Sequence, residues 1–110
     1  MIVERYLAAV ASHQWDDLRE CIADDVVRIG PFHDEYSGAD AYVAFLSSLM
    51  PNLPGYAMNV HRVTYAGNLA FAELSETVAG VATAEALVFA LDDAGRISRI
   101  DIFIKTAAPR

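Results

Sequence analysis

The sequence predicts an α+β fold in which helices cover one face of a curved, antiparallel sheet. Two observations predict it. Apolar residues in the first half recur at helical spacing. Four long strand-like segments fill the second half, with Gly, Asn and Asp turn signals between them.

Val3, Tyr6, Leu7 and Val10 mark a first helix over 2–12, and Ser12-His13-Gln14 interrupts it. Trp15, Leu18, Cys21 and Ile22 mark a second, with Asp16 and Asp17 in its first turn, where the helix dipole favours acids. Val26, Val27 and Ile29 form a short strand ended by Gly30-Pro31, and 31–38 reads as a polar loop. Tyr42, Val43, Phe45, Leu46 and Leu49 are the apolar stripe of a third helix over 39–50, stopped by Pro51 and Pro54. Strands follow over 56–66, 69–78, 83–91 and 97–105. Gly67-Asn68, Ala79-Gly80 and Asp92-Asp93-Ala94-Gly95 are the turns between them.

A chain of 110 residues and 12.0 kDa is one domain, and no repeat or linker divides it. Eight Lys and Arg against fifteen Asp and Glu give a net charge of −7. That charge opposes binding to nucleic acid or to an anionic membrane. The single Cys21 excludes an internal disulfide, and no apolar run reaches the ~20 residues of a membrane span. No basic-then-apolar leader opens the sequence, so a cytoplasmic protein is expected. His13, His33 and His61 lack metal-ligand spacing, and there is no phosphate-cradling glycine loop or nucleophile elbow. No metal and no cofactor is expected.

Hairpin arithmetic assigns the sheet faces. A two-residue turn at Gly67-Asn68 sets Thr64 opposite Phe71, Arg62 opposite Glu73 and Val60 opposite Ser75. A turn centred near Gly80 sets Phe71 opposite Phe89 and Glu73 opposite Leu87. One face then carries Phe71, Glu73, Ser75, Thr77, Glu85, Leu87, Phe89 and Leu91. The other carries Ala70, Ala72, Leu74, Glu76, Val78, Ala84, Ala86, Val88 and Ala90. The first, aromatic with convergent polar groups, reads as a ligand pocket. The second reads as a two-fold homodimer face of Ala72, Leu74, Ala86, Val88 and Phe103. Coverage of that face by the helices is the alternative. A four-residue turn at 92–95 points Ile100, Ile102 and Ile104 into the pocket and Arg99, Asp101 and Phe103 outward.

The order of elements resembles the nuclear transport factor 2-like superfamily, which includes ketosteroid isomerases, SnoaL-type polyketide cyclases and limonene-epoxide hydrolases. The resemblance rests on Arg5-Tyr6-Leu7, Trp15-Asp16-Asp17-Leu18, Ile22-Ala23-Asp24-Asp25-Val26-Val27, Tyr36-Ser37-Gly38 and Gly95-Arg96-Ile97, in that order and spacing. It implies a cone-shaped curved sheet wrapped around the N-terminal helices, an α+β barrel, usually dimeric through the outer face. It does not carry one activity, because that fold hosts enzymes and non-enzymes. Ketosteroid isomerases use a first-helix tyrosine to hold the oxyanion, and Tyr6 stands at the matching place. Their base, an Asp before a Pro at the end of the first strand, is replaced by Gly30. Their second oxyanion donor, a protonated Asp, is replaced by Leu87. Arg99-Ile100-Asp101 looks like the epoxide hydrolases' Arg flanked by Asp, but it lies on the last strand and points outward.

The candidate catalytic group is Arg62, Glu73 and Glu85, a carboxylate base beside a guanidinium. A structural ion pair is the plainer reading. Tyr6, His33, Tyr56, Met58, Phe71, Leu87, Phe89 and Ile102 are the candidate ligand contacts. His33 lies with Asp34 and Glu35 at the expected pocket mouth, where a solvated loop is the plainer reading. A one-residue slip would turn His61 inward in place of Arg62. These residues suit a cofactor-independent enzyme moving a proton on, or hydrating, a small apolar compound. The alternatives are a module that binds such a compound without turnover and a small interaction domain.

Overall fold

A computed structural model gives the fold over residues 1–105, the residues described. Helix α1 (Ile2–Ala11) ends where the Ser12 hydroxyl turns back to the Ala8 carbonyl at 2.6 Å and His13 takes a φ of 58°. Helix α2 (Trp15–Cys21) runs directly into strand β1 (Ile22–Ile29). The 31–38 segment, expected as a loop, contains a short strand β2 (Glu35–Ser37) that pairs with β1 through Val27–Ser37 and Ile29–Glu35. Helix α3 (Ala39–Leu49) closes in a single 3-10 turn at Met50–Asn52, where Pro51 cannot continue the α-helical hydrogen bonds. Strands β3 (Ala57–Ala66), β4 (Leu69–Val78), β5 (Val81–Leu91) and β6 (Ile97–Ile104) complete the order.

The six strands form one curved, open sheet in the order β2-β1-β6-β5-β4-β3. It is mixed, not wholly antiparallel, because β1 lies parallel to β6. The helices cover its concave side. Val3 and Leu7 of α1, Leu18 of α2 and Ile22, Leu74, Phe89, Ile97 and Ile100 of the sheet are the buried centre. Each such side chain contributes roughly 1.5–3 kcal/mol on leaving water. The edge is pinned by Tyr65 on β3, whose hydroxyl accepts the Val3 N–H at 3.0 Å and donates to the Glu4 carboxylate. No helix among the described residues is long and apolar enough to cross a membrane.

Two register details set the faces. Pairing between β3 and β4 follows the expected hairpin from Ala66–Leu69 to Arg62–Glu73, then a bulge at His61 shifts it to Val60–Leu74. Pairing between β4 and β5 runs Val78–Val81, Leu74–Glu85 and Ala70–Phe89, one residue from the expected register. A one-residue shift exchanges the faces of one strand relative to its neighbour. Ala70, Ala72 and Leu74 therefore join Glu85, Leu87 and Phe89 under the helices. Phe71 and Glu73 join Ala84, Ala86 and Val88 outside. Ala72 and Leu74 are thus core residues, not members of an outer face, and both are fully buried. Ile100 and Ile102 face inward and Phe103 outward, as the sequence indicates, because β6 is displaced from the expected register by an even number of residues.

Candidate functional site

Between the helices and the concave side of the sheet lies a cavity of about 360 Å³. That is near the small end of the usual range for ligand sites. Helix α3 supplies Tyr42, Phe45, Leu46 and Leu49, spaced i, i+3, i+4 and i+7 along one face. Helix α1 supplies Tyr6, Leu7 and Val10 at the same period. On β1, Val26 is buried and Arg28, two residues on, shares its side of the sheet. Leu74, Glu76 and Val78 of β4 and Thr83, Glu85 and Leu87 of β5 form the floor. Apart from Thr83, the wall is apolar except where four groups of polar atoms enter it.

The first is a pair of phenols. The Tyr6 and Tyr42 hydroxyls are hydrogen-bonded at 2.5 Å, and the Tyr6 ring stands edge-on to Phe89, centroids 5.7 Å apart. Burial pushes the Tyr6 hydroxyl far above its ordinary pKa. Burial also raises Tyr42, while the bond from Tyr6 and the charge of Arg28 pull it part of the way back. Both phenols therefore stay neutral at working pH, and with Tyr6 donating to Tyr42 the free O–H is that of Tyr42.

The second is a carboxyl pair, Glu76 and Glu85, diagonal neighbours on adjacent strands. Glu85 is only 9% exposed. Burial first, then its hydrogen bond with Glu76 and the charge there, push its pKa up to about 8. At neutral pH Glu85 holds a proton. The third group is Tyr56, whose hydroxyl donates to Glu76. Its own ionisation is pushed well up, chiefly by burial and then by Glu76.

The fourth is Arg28. Its side chain is 12% exposed, and its guanidinium lies 5.4 Å from the Phe45 ring centre and 5.9 Å from that of Tyr36. Its Nη1 donates to Asp34 at 2.6 Å, while its buried Nε has no partner. Burial alone would raise the Asp34 carboxyl, but Arg28 and backbone N–H groups hold it below the usual range. Asp34 reaches back because residue 30 has no side chain. A Cβ on Gly30 would sit 2.3 Å from an Asp34 carboxylate oxygen.

Of the residues expected here, Tyr6, Tyr56, Met58, Glu85, Leu87 and Ile102 line the cavity. Phe89 lies behind Tyr6 in the core and does not reach the cavity wall. Arg62 and Glu73 do pair with each other, but on the outer face, where Lys105 also reaches Glu73 at 3.0 Å. The register shift removes both from the pocket, and Phe71 with them, 41% exposed. His61, at the bulge, is exposed too, and its ring approaches Ser75. His33 is exposed at a φ of 63° in the β1–β2 turn, outside the cavity lining. Met58 stays inside although Arg62 is outside, because the bulge between them reverses the alternation.

Glu76, Arg28 and Tyr42 were not singled out from sequence. The spacing of Arg28 from Val26 is the signal that marks it, and Glu76 needs the correct β4–β5 register. Tyr42 is indistinguishable from a plain member of the α3 stripe until its hydroxyl is seen to meet Tyr6.

The family model for the SnoaL-like domain matches residues 3–100. Among solved structures, a ketosteroid isomerase candidate from Kribbella flavida superposes with a TM-score of 0.86 at 20% identity, covering 99% of this chain and 78% of that one. An LEH-like epoxide hydrolase from M. tuberculosis gives 0.82 at 22% identity, over 94% and 80%. A SnoaL-like polyketide cyclase candidate from Shewanella denitrificans gives 0.84 at 15% identity, over 94% and 88%. At these identities the likeness shows the shared fold. No match was found among curated proteins.

Proposed function

Given that this chain belongs to the SnoaL-like domain family, we propose that it transfers a proton on a small apolar carbonyl compound without a cofactor. The observation that carries this reading is the carboxyl pair. Glu85 keeps its proton at neutral pH beside Glu76, and both open into an apolar cavity. A pair that shares one proton can give it and take it back within one site. The Tyr42 hydroxyl, with Tyr6 hydrogen-bonded behind it, is the donor available to an oxygen that gains negative charge. Isomerisation, cyclisation and hydrolysis each need such a transfer. The structural neighbours described as isomerase, cyclase and epoxide hydrolase support this breadth.

The test is exchange of the hydrogens alpha to the carbonyl of 2-octanone and cyclohexenone in D2O, followed by NMR. Exchange above the buffer rate is expected, falling on the order of 100-fold or more in Glu85→Gln. Equal exchange in that variant refutes the assignment. A second reading, binding without turnover, is favoured by Gly30, which stands where the resemblance to ketosteroid isomerases would put their Asp base. It predicts ketone affinity with no exchange.

The outer face carries Leu69, Phe71, Ala84, Ala86, Val88 and Phe103, with Phe103 54% exposed, interspersed with Arg62, Glu73 and Lys105. A mixed-sign apolar face is self-complementary, so its proposed occupant is a second copy of this chain. Sedimentation equilibrium showing a monomer up to millimolar concentration refutes that.

A further inference from the structure

Arg28 is the only basic side chain among the described residues that line the cavity. It is nearly enclosed, it lies against the mutually stacked rings of Tyr36 and Phe45, and it spends one nitrogen on Asp34. Its Nε is the one buried side-chain polar atom among the described residues with no hydrogen-bond partner. A buried guanidinium N–H left unmade is costly, and such an atom calls for a reason. The guanidinium fork offers two parallel N–H groups and suits the two oxygens of a carboxylate better than a single carbonyl oxygen. Around it, the Tyr42 hydroxyl is a further donor and Tyr6 stands behind that. Three carboxyls share its surroundings. Asp34 is on the solvent side and 44% exposed, Glu85 lies on β5 with its proton in place, and Glu76 lies on β4, where its carboxylate accepts from Tyr56. Apart from Tyr56, Glu76, Thr83 and Glu85, the rest of the chamber, from Leu46 and Met50 to Met58 and Leu87, is apolar.

We infer that the ligand of this site is a small apolar monocarboxylic acid, its carboxylate held by Arg28 and its hydrocarbon part lying along the apolar wall of the cavity. This rests on the proposed pocket function and narrows it. The substrate is then a carbonyl compound that also carries a carboxylate, bound by one end and worked on at the other.

The experiment compares octanoate, methyl octanoate and 2-octanone by calorimetric titration at pH 7. Octanoate is expected to bind at least tenfold more tightly than its ester. Arg28→Met is expected to erase that preference while leaving the ester's affinity in place. Should Arg28→Met not fold, Asp34→Asn serves instead. It frees the guanidinium from its competing carboxylate and is expected to tighten octanoate several-fold, with the ester unaffected. A purely structural Arg28 would change both compounds alike. Ester or ketone binding as tightly as octanoate overturns the inference and leaves the pocket reading standing. Failure of all three to bind overturns both.

Discussion

Glu85→Gln should remove most of the pH dependence of this protein's stability. The carboxyl has an ordinary value of 4.5 and is pushed up to about 8 in the folded chain, chiefly by burial and then by Glu76. Between those values the unfolded chain has released the proton and the folded chain still holds it. The folded state therefore binds more protons, and stability falls as pH rises. The contribution is fully present below about pH 4.5 and lost by about pH 8. Each pH unit of separation corresponds to about 1.4 kcal/mol, so the loss across the window is on the order of 5 kcal/mol. That is a large fraction of the 5–15 kcal/mol by which a domain of this kind is stable. Gln is neutral throughout and keeps an N–H to donate to Glu76, so the variant should lack this slope and overtake the parent toward pH 8. Urea titrations of both proteins at half-unit steps from pH 4.5 to 9 give the two curves. Parallel curves would mean that Glu85 ionises normally in the folded state, and the account of the carboxyl pair would be wrong.

Tyr42→Phe leaves the buried Tyr6 hydroxyl without its partner and should cost roughly 1–3 kcal/mol in chemical denaturation; no loss would mean that the bond is idle. Leu74→Ala should cost about 2–5 kcal/mol, as for a core leucine, whereas the expected outer-face location would make it nearly silent. Glu73→Gln should leave ligand affinity and exchange activity as they are, because its partners Arg62 and Lys105 are on the other side of the sheet from the cavity. Gly30→Ala should lever Asp34 away from Arg28, and a crystal structure with the 2.6 Å ion pair intact would contradict the crowding described.

The element order was readable because its signals are local: helical spacing, Pro51 at the end of α3, and Gly67-Asn68 between β3 and β4. The faces were harder because they depend on two single-residue events. The β4–β5 turn is Ala79-Gly80, with φ of 51° and 79° at the two positions. Such a turn favours Asn, Asp or Gly at its first position, and alanine there disguises it. Read as a longer turn, it moves Glu76 and Leu74 outside and Glu73 and Phe71 inside. The bulge at His61 has no residue that announces it, since neither Gly nor Pro stands there. Glu85, Leu87, Ile102 and Tyr6 were legible because β5, β6 and α1 keep their own alternation or period whatever register their neighbours adopt. A site that spans two strands inherits the uncertainty of the turn joining them. A site on one element does not.

The parallel pairing of β1 with β6 has a consequence for the order in which the molecule assembles. Val27 and Arg99, which face each other across it, are about 70 residues apart in the chain. Strand β1 has β2 on one side and nothing on the other until β6 has been made, and β6 is also the neighbour of β5. Closing so long a loop must precede any reward from the contacts it brings, so this step is expected to be slow. During synthesis on a ribosome, the first helices and β1 emerge early and wait with an open edge. The β3–β5 meander can zip by hairpins alone, but the two halves cannot be joined until the last strand is out. The chamber between them is therefore the final thing to form, and ligand binding should report on completed folding more faithfully than helix content does.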